Sequence, residues 1–450
     1  VFKLFKKFKI SPYAAVLISF LSVILFGAFL LAFPAAYQDN NWPSFVNALF
    51  LSTSCVCVTG LNVFPNVVNT MTVYGKIVMA VLIQIGGLGF ITIFTFIFTL
   101  FNKRLAASDR YLVKEALSFK TFEGVISLVR SMILISFVIE LCGVIPFLFV
   151  FVPIYGPLPG LGKAVFHSIS SFNNAGFDLI GADSLEPFRN NYIIMLNTAI
   201  LVILGGLGFL TIRDILKANR AKFWSIHSKV VILMTSILIL FGMFFYYVLN
   251  LKNAEPLSII QAFFLSVSSR TAGFSVYHIP NMNPFARIIV LLLMITGVGP
   301  LSTGGGLKVT TVFVILATII SFIRGRKSNA FNRSFTIKTF IQAVTLLIIV
   351  FLTLILSYSI ISAIEVNNRF ILAKGWTTEP ILFEVVSAFS TTGLSWGITP
   401  SLSVGSKLIL IFLMFFGRVG PMTIMSVVSN SMHRHQKENF KYIETDLIVG

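Results

Sequence analysis

Charge is scarce in this chain, and negative charge scarcest: 16 Asp and Glu stand against 34 Lys and Arg among 450 residues, and only 11% of positions are charged. So few charges cannot solvate the outside of a water-soluble fold of this length. A hydrophobic share of 56% and a mean hydropathy of +0.92 point the same way, to an integral membrane protein. Cysteine is also sparse. Cys55, Cys57 and Cys142 are odd in number and lack framework spacing, so a disulfide scaffold is excluded and three buried thiols are expected. No other soft ligand lies near Cys55 and Cys57 to complete a metal site. No nucleophile and base pair, dinucleotide fingerprint or metal cluster is present, so no residue is assigned a catalytic role. His433 and His435 fall in a polar tail and read as solvated.

What the chain does have is long apolar runs. Eight of them, near 13–37, 72–101, 125–152, 191–216, 229–251, 286–323, 336–364 and 405–431, reach the roughly 20 residues that a hydrocarbon core of about 30 Å requires. The first follows Lys3, Lys6, Lys7 and Lys9 like a secretory signal, but it is too long and lacks an A-x-A-like cleavage site, so a retained helix is expected. A formal charge of +18 would suggest nucleic acid in a soluble protein. Here the basic residues gather at the N-terminus and at every second junction: Lys103 to Lys120, Arg213 to Lys229, Arg324 to Lys338 and Arg434 to Lys441. That is the positive-inside pattern of a multi-pass plasma-membrane protein with both termini cytoplasmic, and the partner of this charge is anionic lipid, with no nucleic acid expected.

Between the members of each pair of runs lies a shorter, more polar segment, and the four segments match. They are Phe50–Gly60, Phe166–Gly176, Phe263–Gly273 and Phe383–Gly393, each with Phe ten residues before Gly and an aromatic residue or Leu after it. The glycines are spaced by 116, 97 and 120 residues, the length of two spans and a hairpin. A period of this kind marks an internal repeat. Each copy holds an even number of crossings, so all four copies share one orientation, unlike the inverted repeats of many secondary transporters. The fold class expected is all-α integral membrane: four parallel helix, pore-loop, helix repeats around one pseudo-fourfold pore, with eight transmembrane helices. The repeats run over 1–102, 103–220, 221–328 and 329–450, the last ending in a cytoplasmic tail.

A polar break at membrane depth must face protein or a water-filled path, because unpaired backbone groups in lipid cost several kcal/mol each. Four breaks at one depth converge most economically on a common axis. Glycine adopts backbone angles that aim successive carbonyls inward, and rings of carbonyl oxygens replace the hydration shell of a monovalent cation. The filter is therefore assigned to Val58-Thr59-Gly60-Leu61, Asn174-Ala175-Gly176-Phe177, Thr271-Ala272-Gly273-Phe274 and Thr391-Thr392-Gly393-Leu394. Any one of these glycines alone would read as a structural turn. The short helices before them aim their partly negative C-terminal ends at the same axis, which favours a cation there.

These loops, together with the GGLGF turns at Gly86–Phe90 and Gly205–Phe209, the stretch Ser302–Thr311 and the run Gly417–Pro421, resemble the Trk/Ktr/HKT superfamily of potassium transporters. With eight spans the chain looks like the membrane (pore) subunit of a bacterial Ktr system. The resemblance covers nearly the whole sequence. It implies a single-file K⁺ pathway, often Na⁺-dependent, in a homodimer seated on a ring of cytosolic nucleotide-binding regulatory subunits. Sodium-favouring relatives carry Ser in the first loop, so Gly60 points to K⁺. No organic cofactor is expected in the chain. The sequence STTGL in the fourth loop and Pro300 ahead of the broken stretch depart from the family pattern and leave the details of gating open.

Three further features bear on control of the pathway. Alignment of the last helix of each copy puts Gly87, Gly206 and Arg418 at one level, with Val298 close by. Arginine at mid-membrane costs at least about 2.5 kcal/mol and faces a cavity or a partner. It reads either as a cationic barrier below the filter, which the resemblance supports, or as a structural ion pair with Glu140 or Glu384. The sixth run is interrupted at Thr296–Leu307 by Gly297, Gly299, Gly304, Gly305 and Gly306, too many glycines for a continuous helix. With Ser302, Thr303 and the closing Lys308 it reads as a mobile loop under the filter, or as a simple kink. Its spacing does not fit a phosphate-binding loop. Arg270, three residues before Gly273, reads as a brace of its filter loop against a carboxylate such as Glu384. Asp178 reads as a cation-concentrating acid at the outer mouth or as a solvated loop acid. An alternating-access secondary transporter coupled to cations is the competing class; it calls for inverted repeats and midplane acids.

Overall fold

The computed structural model describes residues 12–89, 125–181, 184–218, 221–251, 253, 255–325, 329–331, 333–366, 368 and 378–425. His433, His435, the tail from 432 to 450, the basic cluster at 103–120 and the junction between the first two repeats lie outside them. The described helices of nine residues or more are α1 (Pro12–Ala32), α2 (Phe45–Val56), α3 (Val73–Leu88), α4 (Val125–Tyr155), α5 (Pro157–Phe172), α6 (Tyr192–Leu207), α7 (Phe209–Lys217) and α8 (Ile226–Leu249). They continue as α9 (Ile259–Ser268), α10 (Pro284–Ile295), α11 (Val309–Ile323), α12 (Ile337–Glu365), α13 (Glu379–Ser390) and α14 (Val404–Val419). The departures from an all-helical chain among these residues are a two-stranded hairpin, Asn329–Ala330 against Arg333–Ser334, and an isolated antiparallel bridge between Tyr37 and Met71.

Among the described residues α1, most of α4, α8 and α12 are long and apolar enough to cross a membrane. Their outward faces carry Phe26, Phe29, Leu134, Leu141, Phe149, Phe244 and Leu356, all more than half exposed. An apolar surface this extensive is stable only against lipid. Cys142 lies on this outer face of α4, whereas Cys55 and Cys57 are buried. The expectation of three buried thiols therefore fails for Cys142, because an apolar run on a lipid-facing helix looks the same in sequence as one in a core.

The order long helix, short helix, loop, helix recurs four times: α1–α2–α3, α4–α5–α6, α8–α9–α10 and α12–α13–α14. Side-chain caps set where the last helix of each group begins. Thr72, Asn191, Asn283 and Ser403 each accept a hydrogen bond from a first-turn backbone N–H, which satisfies donors a helix start leaves free. The ends also match. Gly89, Gly208 and Gly420 adopt φ of 82°, 83° and 90° and close α3, α6 and α14.

Contacts close the four groups into a ring. The last helix of each packs on the short helix of the next: α3 on α5, α6 on α9, α10 on α13, and α14 back on α2. Within three groups that last helix also meets its own short helix at a glycine with no room for a side chain. A Cβ on Gly86, Gly205 or Gly417 would lie 2.0, 1.9 or 1.7 Å from the carbonyl oxygen of Val56, Phe172 or Phe389. Each of those carbonyls lies four residues before the repeated glycine of its loop. Gly417→Ala forces backbone apart rather than a flexible side chain, and overpacking of this kind costs about 1–3 kcal/mol. It should lower the thermal unfolding midpoint of the detergent-solubilised protein; an unchanged midpoint would mean that α14 and α13 can separate freely.

One element differs from the spans read in the sequence, and one matches. The run 191–216 is not one helix: α6 and α7 meet at Gly208 with a bend of 97°, because a left-handed glycine cannot continue a right-handed helix. The sixth run breaks as expected, into α10 and α11, with irregular chain from Thr296 to Lys308 between them.

Candidate functional site

The four repeated glycines sit next to one another in a closed ring. A Cβ on Gly60 would lie 3.0 Å from the Cα of Gly176, one on Gly176 3.2 Å from that of Gly273, one on Gly273 3.1 Å from that of Gly393, and one on Gly393 3.0 Å from that of Gly60. In every case the nearest atom is the carbonyl oxygen of the residue before the next glycine: Ala175 at 2.7 Å, Ala272 at 2.8 Å, Thr392 at 2.2 Å and Thr59 at 2.1 Å. The ring thus has no space for a side chain and is lined by main-chain oxygen.

The backbone that produces this lining repeats as well. Val58, Asn174, Thr271 and Thr391, two residues before each glycine, have φ of 53°, 56°, 65° and 51°, and the glycines themselves 92°, 70°, 77° and 88°. A left-handed β-branched residue such as Val58 is rare, and strain of this kind, about 1–3 kcal/mol per residue, persists where the surroundings over-determine it. What over-determines it here is the hydrogen bonding of the residue between. Thr59 N–H donates to Ser54 O at 2.8 Å, Ala175 N–H to Ser170 O at 2.8 Å, Ala272 N–H to Ser268 O at 3.0 Å and Thr392 N–H to Ser387 O at 3.0 Å. Each short helix therefore takes up the N–H of the loop, and the carbonyls are left to face the axis. Side chains add to this: Ser170 Oγ accepts from Phe177 N–H at 3.1 Å and Ser387 Oγ from Gly393 N–H at 3.0 Å.

At the end of the ring nearer the short helices, the segment between α10 and α11 packs against the second, third and fourth loops. Thr303 Oγ1 lies 3.2 Å from both Phe172 O and Asn174 Oδ1. Gly305 N–H donates to Thr391 Oγ1 at 2.9 Å. A Cβ on Gly304 would come within 2.1 Å of Thr271 Oγ1, and one on Gly305 within 2.4 Å of Thr391 Oγ1. The glycines are needed there because the segment lies flush against the side chains of the left-handed residues. Lys308 caps it by donating from Nζ to Gly304 O at 2.7 Å. Arg418 binds it to the first group: the guanidinium donates to Thr303 O, to Gly86 O and, at 3.0 Å, to Gly87 O. Gly206 meets Val298, whose methyl would lie 3.0 Å from a Cβ there. Of the four residues aligned in the sequence, Gly87 thus meets Arg418 and Gly206 meets Val298, and Gly297, Gly299 and Ser302 belong to the same segment as Val298.

Neither suggested ion pair forms. Glu140 accepts from Gln84 Nε2 at 3.0 Å and Asn173 Nδ2 at 3.1 Å, and Glu384 from Ser395 Oγ, Trp396 N–H at 3.1 Å and Thr399 Oγ1 at 2.9 Å. Both carboxylates are engaged behind loops, so Arg418 is bonded to carbonyls and not to an acid. Arg270 is corrected in the same way: it donates to Gly297 O at 3.3 Å, in the loop after α10, and to Thr235 O at 3.4 Å, within α8, acceptors that the sequence does not reveal. Asp178 is half-buried and accepts from Ile180 N–H at 3.0 Å, closing its own turn. Sequence reasoning also missed Gln84, Asn173 and Glu140 as a brace behind the second loop, although a lone Glu within the run 125–152 was a visible signal. At the rim of the fourth loop, Arg287 pairs with Glu379 at 3.0 Å and lies over the Trp396 ring at 5.0 Å.

Four loops that bring main-chain oxygen to one axis of an all-helical membrane protein, with arginine and lysine directly below, define a cation transporter and not an enzyme. The chain belongs to the TrkH family of cation transport proteins, whose family model matches residues 12–442. It is 36% identical to the potassium/sodium uptake protein NtpJ of Enterococcus hirae, with 98% of each chain covered. It is 35% identical to the Ktr system potassium uptake protein B of Bacillus subtilis, covering 100% of this chain and 99% of that one. The fold is also that of the potassium transporter TrkH from Vibrio parahaemolyticus, with a TM-score of 0.67 and 18% identity over 92% of this chain and 85% of the other.

Proposed function

We propose that this protein takes up K⁺ across the plasma membrane through a filter made of the four glycine loops, closed from below by residues 297–308 and Arg418. The observation that carries the reading is the closed ring in which each glycine abuts the carbonyl before the next. Carbonyls held in a ring replace water around a monovalent cation at little reorganisation cost, and glycine at all four positions favours K⁺. The axis is reached from eight spans in four parallel repeats, with both termini cytoplasmic. Parallel repeats, and no pair of acids beside the ring among the described residues, speak against an alternating-access carrier.

Arg418 places positive charge where an ion leaves the filter, and at short range in a low dielectric this repulsion is a substantial barrier. The names of the relatives support K⁺ uptake with a sodium link, and a Ktr system implies a homodimer on a cytosolic ring of nucleotide-binding subunits. Expression in a cell lacking its own K⁺ importers, with and without such a subunit, should restore growth at low K⁺. No rescue by a well-expressed protein under either condition would overturn the proposal. Deleting Ser302–Gly306 should leave the passage open, so that K⁺-loaded proteoliposomes lose their ion several-fold faster than with the intact chain; equally tight vesicles would show that the segment is not the closure.

A further inference from the structure

Helix α7 stands apart from the pathway yet is bonded to its closure. The bend of 97° at Gly208 turns α7 across the end of α6. If α6 stands upright in the bilayer, α7 therefore lies along the membrane surface. Phe209, Thr211 and Ile212 are buried against the protein, whereas Ile215, Leu216, Lys217, Lys222 and Phe223 are exposed, Leu216 by 65% and Phe223 by 72%. Arg213 and Lys217, four residues apart, share one side of the helix, next to Leu216. The acid of this segment is already satisfied within it: Asp214 accepts from Ser225 N–H at 3.2 Å, from Ser228 Oγ at 2.6 Å and from Ser225 Oγ. What faces outward is cationic and apolar, the combination that seats a helix in the headgroup region of an anionic leaflet.

The other end of α7 touches the segment below the filter. Phe209 N–H, at its first residue, donates to Leu301 O at 3.1 Å, and Gly208 has no room for a Cβ because Pro300 O would lie 2.5 Å from it. The end of α6 completes the attachment, with Gly206 O accepting from Gly299 N–H at 2.9 Å and Gly205 O from Thr303 N–H at 3.3 Å. Leu301 itself is held at φ 54°. Any displacement of α7 must therefore pull on residues 299–303.

We propose that the outer face of α7 and the turn after it, with Arg213, Lys217, Leu216, Lys222 and Phe223, is a docking surface for anionic phospholipid, and that docking keeps the segment closed beneath the filter. The second half rests on reading residues 297–308 as the gate; the first does not. Favouring lipid over a soluble partner are Leu216 and Phe223, large apolar side chains exposed beside the basic ones, and the orientation of α7 at the end of a span. Each basic residue near an anionic surface strengthens binding about fivefold.

Trp224, half-buried within this segment, supplies a reporter. The protein is placed in phosphatidylcholine vesicles with or without phosphatidylglycerol, with one or the other lipid bromine-labelled. Quenching of the Trp224 contribution, defined by difference from Trp224→Phe, should be stronger with labelled phosphatidylglycerol. Arg213→Gln/Lys217→Gln/Lys222→Gln should abolish that preference and Arg213→Lys/Lys217→Arg/Lys222→Arg should keep it. Equal quenching by the two labels, or a preference that survives neutralisation, would overturn the site. In the same vesicles phosphatidylglycerol should lower K⁺ leak about threefold or more, and the neutralised variant should lose this effect. Lipid preference without any change in leak would overturn the coupling. An absence of K⁺ flux in every vesicle, including those carrying the Ser302–Gly306 deletion, would overturn the function proposed above while leaving the lipid site standing on its quenching signal.

Discussion

Replacing Gly393 with alanine should reduce selective K⁺ uptake by roughly ten- to hundredfold. The new Cβ would lie 2.1 Å from Thr59 O and 3.0 Å from the Cα of Gly60, and the backbone at φ 88° disfavours any L side chain. The left-handed strain alone is worth about 1–3 kcal/mol, and an equal amount withdrawn from ion coordination corresponds to that loss of rate. Gly60→Ser is expected to act more on selectivity than on rate. Its Cβ meets Ala175 O at 2.7 Å, a milder collision that widens the ring and lets Na⁺ compete. Competition of Na⁺ against rubidium uptake separates the two effects. A Gly393→Ala protein that is folded, present in the membrane and fully active would remove the ring from the transport path.

Arg418→Ala should do the opposite and raise flux. The guanidinium donates to Thr303 O in the closing segment and to Gly86 O and Gly87 O at the end of α3, so its removal frees the segment and deletes a charge in one step. Hydrogen bonds from a charged donor are worth about 1.5–3 kcal/mol, which predicts a rise of roughly ten- to hundredfold in rubidium influx. Arg418→Lys should fall between, since an ammonium keeps the charge but cannot fork to three carbonyls. Lower flux for the alanine variant, with the protein folded, would show that Arg418 supports the pathway instead of blocking it.

Several parts of this site were legible in the sequence because they depend on period and composition. A Phe ten residues before a Gly, four times over, is visible in a string, and the glycine-rich break between α10 and α11 announces itself against the apolar residues on either side. The partners of buried charge were not legible. Glu140 and Glu384 were offered as partners of Arg418 and Arg270 because opposite charges are the natural guess, whereas both guanidiniums donate to main-chain carbonyls, Gly87 and Gly297 among them. Every residue carries a carbonyl, so sequence cannot say which ones a helix end leaves free. The bend within the run 191–216 escaped for a related reason: glycines in an apolar run are compatible with a helix, as Gly205 and Gly206 are in α6, until packing of Gly208 against Pro300 and Leu301 selects the left-handed backbone.

By itself the sequence determined the membrane class, the fourfold repeat and which glycines recur, since hydrophobic runs and spacing follow from the length of a span and the absence of a Cβ. Only the tertiary structure decided that the four loops close into one ring, that the broken segment lies directly beneath it, and that α7 is tied to that segment. Those relations join residues up to 333 positions apart, as Gly60 and Gly393 are, and they arise where last helix packs on next short helix, a contact that no local pattern encodes.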